Sequence, residues 1–342
     1  MKKDVKEIFF SKSSLFSLLI GAFLLYLMFP VIQWTFIDAN WLGDSSADCQ
    51  KEGACWVFIF QQLGTFVFGF YPVQHRWRIF LVVMFWLLGF FGLRFIKKSS
   101  RLFFLVALCL VLPILSWQVL VGFLGMTKVE TSQWGGVFLT LLVSFTGIIV
   151  SMPLGIVLAL GRQSKLPILS LSSTIFIEFW RGIPLITVLF MSSVMLPIFL
   201  PERFIVDKLL RALFAVALFS SAYMAEVIRG GLQAIPRGQY EAGYALGLSY
   251  GKNMAFVVIP QAIKHVIPGI VNSFIALFKD TTLVSIIGMF DVLGVVQAAT
   301  THPDWLGYSI EGYLFAGIFY WFCCYSMSKY SISIERKLSK GY

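Results

Sequence analysis

Long apolar runs separated by short polar connections dominate the pattern of this chain. A helix needs roughly 20 apolar residues to cross a bilayer, because about 30 Å of hydrocarbon is spanned at about 1.5 Å per residue. The sequence therefore predicts an all-α integral membrane protein with about eight transmembrane helices. The predicted spans are residues 15–36, 79–96, 102–124, 135–160, 168–200, 209–228, 266–290 and 313–330, and the fifth is broken.

The segment 56–71 is apolar but is not predicted to be a ninth span. It is interrupted by Gln61, Gln62, Gly64 and Gly69 and is followed by His75, Arg76 and Arg78. Counting it as a span would move every later loop to the opposite side of the membrane. We therefore predict an interfacial or re-entrant piece of the first outer loop.

The placement of charge orients the chain. Hydrophobic residues make up 58% of it and charged residues 13%, which is far from the balance of soluble domains. The net charge of +10 lies in short loops, so it follows the positive-inside rule and predicts lipid, not nucleic acid, as the surrounding partner. Both termini are predicted to be cytoplasmic. The cytoplasmic positive residues are Lys2, Lys3, Lys6, Lys12, Lys97, Lys98, Arg101, Arg162, Lys165, Arg336, Lys337, Lys340 and those of the segment 229–265, whereas the opposite loops hold Asp38, Asp44, Asp48, Glu52, Glu130, Asp291, Asp304 and Glu311.

Two regions differ in the polarity of their spans. Residues 1–133 contain three spans rich in Phe and Leu and one large extracytoplasmic loop, and they are predicted to be a membrane scaffold. Residues 134–342 carry Gly, Pro, Ser, Thr and ionisable groups at membrane depth, where such groups cost free energy and usually have a role or a partner. The second region is predicted to be one helical bundle.

Two of the five cysteines, Cys49 and Cys55, are predicted to lie in the first outer loop. An oxidising compartment would permit a disulfide between them, but sequence spacing does not fix the geometry, so two free thiols stay an alternative. Cys109, Cys323 and Cys324 fall in spans and are predicted to pack as apolar side chains.

The stretch EFWRGIP places charge beside a predicted helix break. Glu178 and Arg181 are three residues apart, so they share a helix face and are predicted to neutralise each other. Gly182 and Pro184 are expected to break or kink the helix. Two interpretations stay open: an ion pair that clamps neighbouring helices, or contact with a translocated substrate.

The stretch LFKDTTLVS places Lys279 and Asp280 side by side within the seventh span, with Asn272 about two turns earlier. Adjacent residues diverge by about 100° around a helix, so one partner cannot satisfy both. Lining or gating of a pathway and simple attachment of helices to one another are both open.

The insert 229–265 is polar and lies between two spans, on the predicted cytoplasmic side. We predict a turn at 235–238, a short helix over 239–246 with Glu241 in its first turn, and a left-handed Gly247 that ends the helix. Pro260 is predicted to interrupt the helix that follows. Such a projecting helix would contact a soluble partner or lie on anionic headgroups.

The stretch EAGYALGLSYGKNMAFVVIPQA resembles the EAA loop of binding-protein-dependent ABC transporter permeases. Glu241, Ala242, Gly247, Ile259 and Pro260 fill that pattern, and Gly243 replaces its second alanine. The stretches FIEFWRGIPLI, SSAYMAEVIRGGLQAIPRGQYEA and FIALFKDTTLVSIIG are similar, in the same order, to the polar amino-acid branch. The extra amino-terminal spans resemble the larger permease subunits of general L-amino-acid or glutamate/glutamine/aspartate uptake systems, of the AapM and BztC type.

The resemblance implies a type I importer core in the last five spans. It implies that the insert is a coupling helix seated in a groove of a separate ATPase dimer, which would hold the ATP and Mg²⁺. It also implies a second, related permease subunit in a heterodimer, a periplasmic amino-acid-binding protein and a bacterial inner membrane. The implied coupling residues are Glu241, Ala242, Gly243, Leu246, Gly247 and Pro260, and the candidates for a translocation pathway or gate are Glu178, Arg181, Gly182, Pro184, Tyr223, Glu226, Asn272, Lys279 and Asp280.

Other function classes fit the sequence less well. An ion-coupled secondary transporter would use paired charges near the midplane but would not need the insert. The stretch GLSYGKN is one residue too short for a phosphate loop and ends in Asn253, so no ATPase site is expected on this chain. His75, His265 and His302 are scattered through predicted loops, so neither an enzyme nor a metal site is expected.

Overall fold

A computed structural model describes residues 12–49, 52–97, 100–123, 125–201 and 206–339, which are helical except for turns, loops and one two-residue strand. The predicted all-α class is confirmed. The predicted charges at Lys2, Lys3, Lys6, Lys98 and Lys340, and the predicted end of the third span at Leu124, lie outside the described residues.

Among the described residues, four α-helices precede the second region. Helix α1 covers Lys12–Ile32 and continues through a π turn at Gln33–Ile37. Helix α2 covers Trp56–Phe68, and its 13 residues are too few for a helix to cross a bilayer, which agrees with its prediction as a non-spanning segment. Helices α3 and α4 cover Trp77–Gly92 and Arg101–Val121.

Helix α5, Gly136–Arg162, precedes the predicted broken span. Helix α6 covers Pro167–Gly182, and α7 (Leu185–Phe190), a π turn and α8 (Leu196–Phe199) follow at a bend of 100°. Pro184 causes the break, because its ring lacks an N–H and forces the preceding Ile183 into an extended conformation. The predicted break at Gly182 and Pro184 is confirmed.

The remaining helices surround the predicted insert. They are α9 (Lys208–Gln233), α10 (Arg237–Ala245), α11 (Tyr250–Asn253), a π turn (Met254–Val258), α12 (Ile259–Asp280), a 3-10 helix (Thr281–Ile287), α13 (Val292–Thr300) and α14 (Ser309–Ser339). Strand β1, Phe290–Asp291, pairs in parallel with Gly135 and Gly136.

Six of these helical segments are long and apolar enough to span a membrane, or seven if the bent pair of α6 and the segment Leu185–Phe199 is one span. The predicted eighth span lies within the 31-residue helix α14, whose Tyr, Ser and Lys residues lower its mean hydropathy. The count of eight is therefore not confirmed.

The structure corrects two details of the insert. Helix α10 starts at Arg237, because Pro236 caps it with an extended backbone, so Glu241 lies in the second turn and not the first. Pro260 does not interrupt a helix: the span Tyr250–Ile287 is continuous through it. Pro260 lacks an N–H, but it lies in the first turn of α12, where the hydrogen-bond pattern changes from that of the π turn to that of an α-helix. Proline is tolerated at such a position.

The chain forms two compact units. Residues Gly64–Val296 and Ala316–Tyr342 form the larger one, in which α9 packs against α5 and α12. One of its apolar clusters joins Met224 and Ile228 of α9 to Val258 and Ala262 of the insert. Residues Met1–Leu63 and Gln297–Phe315 form the smaller unit, where Phe58 packs against Trp305 and the Tyr308 hydroxyl donates to the Ser46 carbonyl oxygen at 3.4 Å.

Candidate functional site

Five charged side chains meet where α5, α6 and α9 come together, and we call Arg162, Glu178, Arg181, Glu226 and Arg229 the charge cluster. Glu226 is its centre, since its side chain is only 15% exposed. Arg162 lies 2.5 Å from Glu226 and 2.8 Å from Glu178, so it joins α9 to α6. Arg229 donates to both carboxylate oxygens of Glu226 at 2.8–3.1 Å.

The predicted neutralisation of Glu178 by Arg181 is wrong. Glu178 pairs with Arg162, and Arg181 approaches Glu226 at 3.8 Å and lies over the ring of Tyr223 at 5.7 Å. Each side chain therefore reaches another helix instead of its own neighbour. Three arginines face two carboxylates, so Arg181, the most weakly paired of the three, carries the excess positive charge.

A cavity of about 270 Å³ lies beside the charge cluster. Tyr223 from α9 and Asn272 and Asp280 from α12 line it together, which brings three of the sequence-predicted pathway residues to one place. Ser151, Ser220 and Ser273 add hydroxyl groups, and Phe219, Met224, Phe274, Ala276 and Leu277 complete the wall. The volume is close to the lower limit of small-molecule pockets, roughly 300 Å³.

Lys279 and Asp280 diverge, as adjacent helical residues must. Asp280 faces the cavity, whereas Lys279 is exposed and does not line it. Gly182 and Pro184 form the bend after α6 and do not line it either. Eight of the nine predicted pathway residues therefore fall into three groups, which are the cavity wall, the charge cluster and the helix break, and Lys279 belongs to none of them.

Helix α10 is tied to its neighbours through one face. The Tyr240 hydroxyl donates to the Leu232 carbonyl oxygen of α9 at 3.3 Å, and the Tyr240 carbonyl oxygen accepts a hydrogen bond from Asn253 Nδ2 at 2.9 Å. Gln261 Nε2 of α12 donates to Gln239 Oε1 at 3.0 Å. Burial raises the pKa of Tyr240, so its phenol stays protonated and keeps donating at neutral pH.

The opposite face of α10 is exposed to solvent. Glu241, Ala242 and Leu246 are exposed, and Leu246 is 80% exposed, which is unusual for an apolar side chain outside a membrane span. Gly243 is buried, and Pro260, on α12, is exposed. Four of the six predicted coupling residues, Gly247 included, are thus exposed at α10 or its end.

Gly247 ends α10 in the predicted left-handed conformation, with φ of 73°. Its N–H donates to the Tyr244 carbonyl oxygen, and the N–H of Leu248 donates to that of Gly243, which together form a Schellman motif. This motif uses the last carbonyl groups of α10 and turns the chain sharply towards α11.

The outer loop of the smaller unit contains a disulfide between Cys49 and Cys55, whose Cα atoms lie 5.6 Å apart. Of the two alternatives that the sequence leaves open, the structure therefore has the disulfide. The Cys55 N–H donates at 3.0 Å to Glu311 Oε1, and the Glu311 side chain is buried. Backbone N–H groups of Asp44 and Ser45 bond the carboxylate of Asp48 and hold its pKa below the usual value.

Sequence reasoning missed the roles of Arg162, Arg229 and Asn253. The sequence places Arg162 and Arg229 only in predicted cytoplasmic segments. It marks Asn253 only as the residue that stands where a phosphate loop would have Ser or Thr. The spacing of charged residues along one helix does not indicate which of them form ion pairs with residues of another helix, as happens between α5, α6 and α9. A polar Asn flanked by Met254 and Val258 on an apolar face is the signal that would have found Asn253.

Comparison with known proteins identifies the family. The family model for the binding-protein-dependent transport system inner membrane component matches residues 151–339. The chain belongs to this permease family. It is 52% identical to the inner membrane amino-acid ABC transporter permease protein YhdY of Escherichia coli strain K12, over 91% of this chain and 85% of that protein. It is 38% identical to the glutamate/glutamine/aspartate/asparagine transport system permease protein BztC of Rhodobacter capsulatus, over 88% of this chain and 85% of that protein.

A solved structure agrees with this assignment. The chain superimposes on a crystal structure of an amino-acid ABC transporter with histidines, with a TM-score of 0.51 and 31% sequence identity, over 59% of this chain and 92% of that one. The permease is therefore a multi-pass inner-membrane subunit of an ABC importer and not a secondary transporter. Its family works with ATPase and substrate-binding partners.

Proposed function

We propose that this permease carries L-amino acids across the bacterial inner membrane by alternating access, driven by ATP that separate subunits hydrolyse. One observation carries the proposal: a single helix, α9, joins the cavity to the coupling segment. It contributes Tyr223 to the cavity and Glu226 to the charge cluster, and it continues through Pro236 into α10. A movement imposed on α10 is thereby transmitted directly to the cavity wall.

The substrate class rests on the relatives and on the cavity. Both similar permeases described above are named for amino-acid transport. The cavity offers a carboxylate, an amide and hydroxyl groups, which can hydrogen-bond an ammonium and a carboxylate group. Arg181 adds a positive charge that is only loosely paired and lies against Tyr223, so it would attract the substrate carboxylate.

Helix α10 would seat in a groove of an ATPase dimer through Glu241, Ala242 and Leu246. An exposed Leu246 beside a carboxylate suits a protein groove better than a headgroup layer. ATP and Mg²⁺ would be held by that dimer, because this chain has no complete phosphate loop. A second, related permease subunit and a periplasmic amino-acid-binding protein would complete the importer.

Contacts between predicted outer loops support their place on one side of the membrane, and the positive residues of the other loops support cytoplasmic termini. Ser46 and Cys55 of the first outer loop contact Tyr308 and Glu311 of the last, and Gly135 pairs with Phe290, so loops predicted on one side do meet. Within this topology, we propose that residues 134–342 form the permease domain and residues 1–133 a membrane extension.

Uptake of labelled L-amino acids into proteoliposomes that contain the assembled importer tests the function. With binding protein outside and ATP inside, uptake should continue when a protonophore collapses the ion gradient and should stop when a non-hydrolysable analogue replaces ATP. Uptake that follows the ion gradient and ignores ATP would refute the proposal.

A further inference from the structure

Gly243 is the one position where this chain departs from the alanine pattern that its insert resembles, and the structure gives a physical reason. The side-chain amide of Asn253 lies directly against the Gly243 backbone. A Cβ atom at position 243 would lie 2.6 Å from Asn253 Nδ2 and closer still to Oδ1 and Cγ. Such distances are below van der Waals contact, so alanine at 243 and asparagine at 253 exclude each other in this arrangement.

Asn253 has little room to move away. It is fully buried, with 0% of its surface exposed, and its Nδ2 donates to the Tyr240 carbonyl oxygen at 2.9 Å. Its Oδ1 accepts no hydrogen bond within the described part of the chain, so that half of the amide serves only as a packing surface. Turning the amide out would break its hydrogen bond to the Tyr240 carbonyl oxygen, so relief of the clash would cost that bond.

The Asn253 amide thus lies at the contact between α10 and the span Tyr250–Ile287. On one side it contacts α10 at Gly243 and Tyr240, and Tyr240 is bonded to α9 through Leu232. On the other side Asn253 belongs to the continuous span Tyr250–Ile287, which carries Asn272 and Asp280 to the cavity. Among the described residues, one more hydrogen bond with a side-chain donor joins α10 to this span, and it is the exposed one from Gln261 to Gln239.

We propose that Asn253 and Gly243 are positioning residues that fix the angle between α10 and the span Tyr250–Ile287, so that displacement of α10 is passed to the cavity. This role rests on the proposed function of α10 as the element that the ATPase moves. The contact has two parts. Asn253 donates a hydrogen bond to the Tyr240 carbonyl oxygen, and its amide lies so close to the backbone of residue 243 that only glycine fits there. The contact divides the movement of α10 between two of the helices that line the cavity, α9 and α12.

A double-mutant cycle tests this role, with Gly243→Ala, Asn253→Ala and the double variant assembled into the importer. The readout is the amount of amino acid taken up per ATP hydrolysed, beside the amount of ATPase that copurifies. Alone, Gly243→Ala should lower uptake per ATP about tenfold, since forced overpacking displaces neighbouring elements. In the Asn253→Ala background the amide is gone, so the same change should cost less than about twofold. Gly251→Ala is the matched control, because a Cβ there meets nothing within 4 Å, and it should behave as wild type.

The outcomes separate the possible failures. Equal effects of Gly243→Ala in both backgrounds, or no effect in either, would overturn the positioning role. A loss of copurifying ATPase at an unchanged ratio of uptake to hydrolysis would also overturn it, because the contact would then serve assembly alone. If the wild-type importer shows no ATP-dependent uptake, the proposed function itself fails, and this result is visible before any variant is made.

Discussion

At the scale of single residues, Glu226 organises the charge cluster. It receives Arg229 through both carboxylate oxygens, contacts Arg162 at 2.5 Å, and is approached by Arg181. Its side chain is 15% exposed, whereas that of Glu178 is 55% exposed and pairs only with Arg162 among the described ion pairs. The two carboxylates therefore differ greatly in what they stabilise, although both lie among the same arginines.

Neutralising each carboxylate should show this difference. Glu226→Gln leaves three arginines around an uncharged amide, and loss of a charge-assisted hydrogen bond typically costs about 1.5–3 kcal/mol. Glu178→Gln removes one exposed pair, which is worth about 0.2–1 kcal/mol. Thermal unfolding of the purified importer in detergent should therefore show a clear drop in midpoint for Glu226→Gln and little change for Glu178→Gln. Equal midpoints for the two variants would show that Glu226 does not organise the cluster.

The residue scale also shows what sequence could not supply. Glu178 and Arg181 have the spacing of a helical ion pair, and that pairing is wrong because Arg162 and Glu226 offer partners on other helices. Tyr223, Asn272 and Asp280 could be recognised as polar residues at membrane depth, but only packing of α9 on α12 shows that they share one cavity. The contribution of Asn253 likewise depends on α10 folding back onto α11.

At the scale of elements, α10 is defined by its two ends. Pro236 starts it and Gly247 ends it, and the left-handed Gly247 was predictable because few other residues adopt that conformation. Its first turn was misplaced by two residues, because Pro236 was assigned to a turn and not to the helix cap. Local chemistry therefore predicted the helix and its exit, whereas its bonded face depends on contacts with Leu232, Asn253 and Gln261.

Replacing Gly247 tests the exit of this helix. Valine is β-branched and disfavours φ of 73°, so Gly247→Val should displace the end of α10 and lower uptake per ATP about tenfold or more while the protein still inserts into the membrane. Gly247→Asn is the matched control, since asparagine tolerates the left-handed region, and it should retain most of the coupling. An unchanged amount of amino acid taken up per ATP hydrolysed in the Gly247→Val importer would contradict the role of this exit.

At the scale of the whole molecule, charge and hydropathy predict the membrane class and the topology better than they predict the number of spans. The apolar runs predicted the membrane class, and contacts between the predicted outer loops, such as Cys55 with Glu311, agree with the topology drawn from the positive residues. The count of eight spans stays a prediction, because α14 is long but mixes aromatic, hydroxyl and charged residues. Length and apolarity together do not decide whether such a helix crosses the bilayer.

We propose that work done in another subunit moves this permease through α10. The most direct measurement is ATP hydrolysis by the reconstituted importer, purified through this chain, with binding protein loaded with one L-amino acid at a time. We expect an ATPase subunit to copurify and hydrolysis to rise when loaded binding protein is added, in step with accumulation of that amino acid. Accumulation by this chain without an ATPase partner, or hydrolysis that loaded binding protein leaves unchanged, would contradict it.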